Sequence, residues 1–190
     1  MVDAAGEQRD VFERYRKYLR VLVEIQTSGR LKHKLDLSGV VQQTMFEAYL
    51  AVVEGTPADL TDPLPWLRRL LANNLTDEIR RLQSGKREVR REVSLEQQLE
   101  QSSLRIEGFL ADDRSSPMDK LIQQERVLRL TAALCGLAES QREAIILQHW
   151  HGYSLQQIAD HMGRTPMAVA GLLKRGLRTL RDDFLDTQST

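Results

Sequence analysis

Apolar residues recur every three or four positions through Val11, Phe12, Tyr15, Tyr18, Leu19, Leu22 and Val23, the spacing that places them on one face of a helix. The segment TSGRLKHKLD interrupts the pattern. Asp36 or Ser38 is the residue type that caps a following helix, whose apolar positions are Val41, Met45, Ala48 and Val52. Gly55 and Pro57 close that helix, and the three prolines of GTPADLTDPLP predict a loop. A third, longer helix starts near Trp66 with a stripe of Leu67, Leu71, Leu75, Ile79 and Leu82. Arg68, Arg69, Arg80 and Arg81 fall mostly off this stripe and are expected to meet solvent or a partner. Three helices of this size predict one bundle domain.

The next stretch, LEQQLEQSSLRIEGFLADDRSS, carries no sustained apolar stripe and reads as a linker with at most transient helix. Ser116, Pro117 and Asp119 then mark a helix start, with Met118, Leu121, Leu128, Ala132 and Cys135 along one side. Ser140 with Glu143 forms a capping-box pattern ahead of AIILQHW, and Gly152 suits the turn that ends that helix. Ser154 with Gln157 repeats the box before Leu155, Ile158, Ala159 and Met162, and Gly163 ends this segment. Thr165 caps another helix with Pro166 at its first position. A short helix, a glycine turn and a longer basic helix predict a helix-turn-helix. The expected fold is all-α, with two small helical domains at residues 8–93 and 117–185 joined by a flexible linker at 94–116.

Composition agrees with a soluble globular chain: of 190 residues, 41% are hydrophobic and 28% charged. Lys plus Arg and Asp plus Glu both total 27, so the zero net charge hides local asymmetry. Residues 80–91 hold six basic residues and one acidic, residues 94–125 three basic and seven acidic, and residues 163–181 five basic and none acidic. No apolar run reaches the ~20 residues of a membrane span, and the polar N-terminus is unlike a signal peptide, so no membrane insertion and a cytoplasmic location are expected. The single Cys135 has no internal disulfide partner and is expected as a small buried core thiol.

In a helix-turn-helix the first turns of the second helix approach base edges; here those positions are Thr165, Met167, Ala168 and Gly171. Val169, Leu173, Gly176, Leu177 and Leu180 face the core, while Lys174, Arg178 and Arg181 form a basic stripe with Arg164 and Arg175 nearby. Such a stripe binds phosphate without reading sequence, so weak intrinsic DNA affinity is expected. Gly171 and Gly176 each cost roughly 1 kcal/mol against alanine inside a helix, which points to close approach of another segment. A basic face that is only solvated is the competing reading. Catalysis is not expected: no glycine-rich phosphate loop or metal-ligand spacing occurs, and His149 and His151, two apart, diverge on a helix. No cofactor or metal is implied.

Taken in order, the motifs resemble those of extracytoplasmic-function (ECF) sigma factors of the sigma-70 family. GVVQQTMFEAY at Gly39–Tyr49 is similar to that family's D-L-V-Q-E-T-F pattern. Ala72, Asn73, Asn74, Leu75, Asp77, Arg80 and Arg81 resemble A-R-N-L-x-x-D-x-x-R-R. Leu137 to Glu143 resembles L-P-E-x-Q-R-E, and Gly152, Ser154, Gln157, Ile158, Ala159 and Gly163 fit G-x-S-x-x-E-I-A-x-x-x-G. The resemblance covers about residues 8–93 and 117–185.

This resemblance implies a factor that binds bacterial core RNA polymerase and directs promoter recognition and transcription initiation. It assigns core binding to Val40, Val41, Gln42, Gln43 and Phe46. It assigns minus-ten recognition to Trp66, Asn73, Asn74, Arg80 and Arg81 with the loop from Gly55 to Pro65. There a flipped base needs a hydrogen-bonding pocket and the displaced strand needs cations; Trp66 either stacks on a base or packs as a core aromatic. Minus-thirty-five contacts fall to Arg164, Thr165, Met167, Ala168, Lys174, Arg175 and Arg178. An anti-sigma factor is a further partner the resemblance admits. Gln43 stands where the family usually has glutamate and Gly39 where it has an acidic residue. Ala168 to Leu173 replaces T-V-K-S-R-L, removing a lysine and an arginine. Two other readings stay open: a stand-alone helix-turn-helix regulator, which predicts dimers and palindromic sites, and a helical adaptor with no DNA role.

Overall fold

The structure, a computed structural model, describes residues 4–27, 34–55, 62–82, 89–110 and 120–186. The described residues form eight helices and no strand, so the fold is all-α. They divide into two compact units, Met1–Leu128 and Arg129–Thr190.

The first unit is built on α1 (Ala4–Gln26), α2 (Leu37–Val53), α3 (Pro63–Leu82) and α4 (Val89–Leu110). Helix α1 meets α2, α3 and α4, so its C-terminal half is enclosed on most sides: Tyr18, Leu19, Val21, Leu22 and Val23 are fully buried. Each large side chain of this kind contributes about 1.5–3 kcal/mol through burial. Asp36 is the cap of α2, its Oδ1 accepting from the Gly39 amide at 2.9 Å. A Cβ at residue 39 would collide with the other oxygen of that carboxylate, so the cap side chain would have to shift for any residue but glycine.

The buried side of α2 is Val40, Val41, Thr44 and Ala48, turned from the expected line through Met45 and Val52. Thr44 enters the core because its hydroxyl is satisfied within the helix, donating to the Val40 carbonyl at 2.8 Å. Val52 consequently faces outward, 44% exposed. In α3 the expected Leu67, Leu71 and Leu75 are buried, whereas Ile79 is half-buried and Leu82 exposed.

Residues 94–110, expected as linker, are instead helical and packed. Leu99 and Ile106 of α4 are fully buried, and the turn between them is filled by the buried serines Ser102 and Ser103. Ser103 Oγ lies 3.1 Å from the Tyr18 hydroxyl, and the Arg68 guanidinium donates to both, at 3.1 Å to Tyr18 and 3.3 Å to Ser103. Gln26 donates to Ser102 Oγ at 2.8 Å and to the Gln98 carbonyl at 3.0 Å. The seam between α1 and α4 is therefore hydrogen-bonded at its centre, and an apolar count misses it. Arg68, expected at the surface, is half-buried in this network. The expected start at Ser116, Pro117, Met118 and Asp119 lies outside the described residues.

Helix α5 (Lys120–Gly136) contains the division between the units. In the first unit Gln124 donates to Asp62 at 2.6 Å, and Glu125 pairs with Arg14. In the second unit Leu130, Thr131 and Leu134 are buried, while Cys135 is only half-buried and so is not the core thiol expected.

The second unit adds α6 (Glu139–His149), α7 (Leu155–Met162) and α8 (Pro166–Asp186), with α8 packed on α6 and α7. Ser140 does not cap α6: the cap residue is Ala138, without a side-chain bond, and Ser140 lies inside the helix. Arg142 is 5% exposed and donates to the Leu137 and Cys135 carbonyls at 3.2 and 3.4 Å, satisfying acceptors left by the end of α5. The Ser154–Gln157 capping box is fully formed, and Gly163 adopts the left-handed conformation, φ 61°, that turns the chain from α7 into α8. A Cβ on Gly176 would lie 2.8 Å from Ile145 Cδ1 and 3.3 Å from Gln141 Cβ, so this glycine lets α8 approach α6. Gly171 has no such role, since its nearest neighbour is the Arg175 guanidinium.

Candidate nucleic-acid interface and docking face

Thr165 accepts from the Ala168 amide at 3.2 Å and starts α8, whose residues Val169, Leu172, Leu173 and Leu180 are buried. The helical period then fixes what faces outward. Met167, Gly171, Lys174 and Arg178, spaced four, three and four apart, run along one line, flanked by Ala168, Ala170, Arg175 and Arg181. Met167 is 85% exposed; Arg164, Thr165, Ala168, Lys174, Arg175 and Arg178 are all exposed. Every minus-thirty-five candidate thus lies at the surface of the helix-turn-helix. The line is graded, apolar and small in its first two turns and cationic beyond. Partial burial holds the pKa of the His149 imidazole, on α6, below its ordinary value.

Acidic charge tempers the cationic end. Asp182 lies 3.6 Å from Arg178 and 3.9 Å from Arg181, both exposed pairs. Asp182 lies just beyond the basic segment 163–181, and an arginine and an aspartate four apart are a recognisable helical pair.

On α3, Trp66, Asn73 and Arg80 recur at seven-residue spacing and share the face away from Leu67, Leu71 and Leu75. Asn73, Arg80 and Arg81 are exposed and Trp66 is half-buried. Arg80 pairs with Asp77 at 3.3 Å and Arg81 with Glu78 at 2.7 Å, contacts within one helix turn that a polyanion can displace. Asn74 is different: half-buried, it donates to Glu47 at 2.8 Å and to Thr44 at 3.3 Å. It ties α3 to α2. Residues 56–61 of the candidate loop lie outside the described residues.

Helix α2 presents Gln42, Gln43 and Phe46 to solvent, whereas Val40 and Val41 are each 5% exposed and hold the helix in place. Phe46 is joined on the outer face by Tyr49, Leu50 and Val53, which are 52%, 36% and 63% exposed. Gln43 donates to Glu47 at 2.8 Å, so the carboxylate that α2 lacks at residue 43 stands one turn later, held by Gln43 and Asn74. Tyr49 rests edge-on against Phe12 of α1, ring centres 6.3 Å apart. Tyr49, Leu50 and Val53 lie outside both the expected core stripe and the residues that the motif assigns to docking.

Among the described residues no group of three or more His, Cys, Asp or Glu is placed to hold a metal ion. Among them, too, no helix is long and apolar enough to cross a membrane.

A helical unit ending in a capped helix-turn-helix with a cationic outer face defines a DNA-binding module, and comparison with known proteins gives its kind. Residues 128–180 match the family Sigma-70, region 4. Over 131 residues, 67% of this chain, the sequence is 28% identical to a protein of Xanthomonas campestris pv. campestris named Probable RNA polymerase sigma factor RfaY. The chain spans 29% of that relative's length. The second unit is thus similar to region 4 of sigma-70 proteins, and two thirds of the chain is similar to a protein named as a probable sigma factor.

Proposed function

We propose that this chain is a sigma factor that binds bacterial core RNA polymerase in the cytoplasm and directs it to promoters for transcription initiation. The observation that carries this reading is the region 4 helix-turn-helix with its cationic, outward α8 line, in a chain whose similarity to a named sigma factor extends well beyond that unit. Gln42, Gln43 and Phe46, extended by Tyr49 and Val53, form the surface on α2 that docks on core. Trp66, Asn73, Arg80 and Arg81 on α3 meet the minus-ten element, the arginines leaving their intrahelical acids for phosphate. Lys174, Arg175 and Arg178 hold the minus-thirty-five duplex by charge, and Thr165, Met167 and Ala168 approach its bases. The polymerase performs the chemistry, and the chain supplies placement.

Run-off transcription with purified core enzyme on promoter-bearing templates tests this. Chain-dependent transcripts of discrete length are expected, weakened when Lys174 and Arg178 are both alanine. Identical output from core with and without the chain would refute the proposal.

A further inference from the structure

We infer that Met167 reads the 5-methyl group of thymine in the major groove, so that sequence choice by α8 rests on apolar contact with base edges rather than on hydrogen bonds to them. This deepens the sigma-factor reading above and rests on it. A single exposed apolar side chain is ordinary on a protein surface, so exposure alone decides nothing. Its position decides more. Met167 is 85% exposed and lies on the same line of α8 as Lys174 and Arg178, two and three turns further on. Cations that grip phosphates fix the helix along the duplex without reading it, and the first turns of the helix are then the part directed at bases.

Little else at those turns can discriminate bases. The Thr165 hydroxyl oxygen accepts from the Ala168 amide at 3.2 Å in capping, which holds this short side chain against the backbone and leaves it one O–H to offer. Ala168, Ala170 and Gly171 carry no side-chain donor or acceptor. Two strong donors stand near these turns: Arg164, which lies just before α8 and off the helix, and the Arg175 guanidinium, folded back against Gly171 and grouped by charge with the phosphate-holding Lys174 and Arg178. Among the features bases show in the major groove, the thymine methyl is the apolar one that a side chain of this kind complements. An unbranched, polarisable thioether with three rotatable bonds reaches such a methyl without demanding one fixed geometry. The graded line on α8, apolar first and cationic later, thus separates reading from holding.

The test uses the full chain bound to core RNA polymerase and duplexes enriched by that complex from a random pool. Each thymidine of the enriched upstream element is replaced in turn by deoxyuridine, which removes only the methyl. At one or two positions binding should fall roughly fourfold, the change expected from losing one buried methyl-sized group. Met167→Leu should keep this discrimination. Met167→Ala should abolish it, and Lys174→Ala should weaken thymidine and deoxyuridine duplexes equally. Equal binding of both duplexes by the unmodified chain, undiminished discrimination in Met167→Ala, or enriched elements without thymine would each overturn the role of Met167 and leave the sigma reading standing. Failure of the complex to enrich any duplex would instead remove that reading, and this inference with it.

Discussion

Two glycines five residues apart in α8 should respond oppositely to the same substitution. Alanine gains about 1 kcal/mol over glycine at a helix interior position, through propensity alone. At Gly171 the new methyl would meet only the Arg175 guanidinium, 3.2 Å away at the end of an exposed, flexible side chain that is free to swing aside. Gly171→Ala should therefore stabilise the second unit by about 1 kcal/mol. At Gly176 the methyl would lie 2.8 Å from Ile145 Cδ1 and 3.3 Å from Gln141 Cβ. Carbon pairs prefer about 3.5–4.0 Å. Ile145 is fully buried, and a Cβ cannot move without its backbone, so neither neighbour yields cheaply. Overpacking of this kind costs about 1–3 kcal/mol, which outweighs the propensity gain and leaves Gly176→Ala destabilised by about 1 kcal/mol. Trp150, 3% exposed in the same unit, reports its unfolding once Trp66 is changed to Phe. Urea midpoints by Trp150 fluorescence should separate the two variants on opposite sides of the parent with unchanged slopes. Shifts of equal sign and size would refute the close approach of α8 to α6.

Arg142→Met keeps the apolar stem but strands the Leu137 and Cys135 carbonyls, and should lower stability of the second unit by about 2–3 kcal/mol in the same urea assay. Ser154→Ala removes one half of the α7 capping box, with an expected loss of about 1 kcal/mol; amide exchange at Gln157 should rise, and unchanged protection would show the box to be idle. Asp182→Asn releases Arg178 and Arg181 from their acid. Duplex affinity of the polymerase-bound chain should rise severalfold, and the fall of log K with log salt should steepen by about 1 for each phosphate newly contacted. An unaltered salt slope would place these arginines off the DNA.

The second unit was largely legible in its sequence because its punctuation is local. Ser154, Gln157, Gly163, Thr165 and Pro166 act within one turn of their own position, and the basic residues of α8 follow a strict period. Where the reading failed there, the alternative was equally local: Ser140 fits a capping pattern, but the chain enters α6 two residues earlier, at Ala138. The first unit was less legible because its decisive contacts are distant in sequence. Ser102 and Ser103 read as linker, yet they are buried against Tyr18, Arg68 and Gln26 more than thirty residues away. Asn74 read as a DNA contact, and its bond to Glu47 on α2 was not legible in the pattern. Val40 and Val41 were grouped with Phe46 by motif, but the helical period separates them, turning the valines inward and Phe46 out. Polar residues at a buried seam defeat hydrophobic patterning, and only the neighbouring helix reveals their partners.

Size-exclusion chromatography of the full chain with bacterial core enzyme shows whether this chain works as a subunit of RNA polymerase. Co-elution at one equivalent per core is expected, lost when Phe46, exposed on the outer face of α2, is replaced by Lys. Separate elution of chain and core, with the chain instead forming dimers that bind palindromic duplexes unaided, would contradict it.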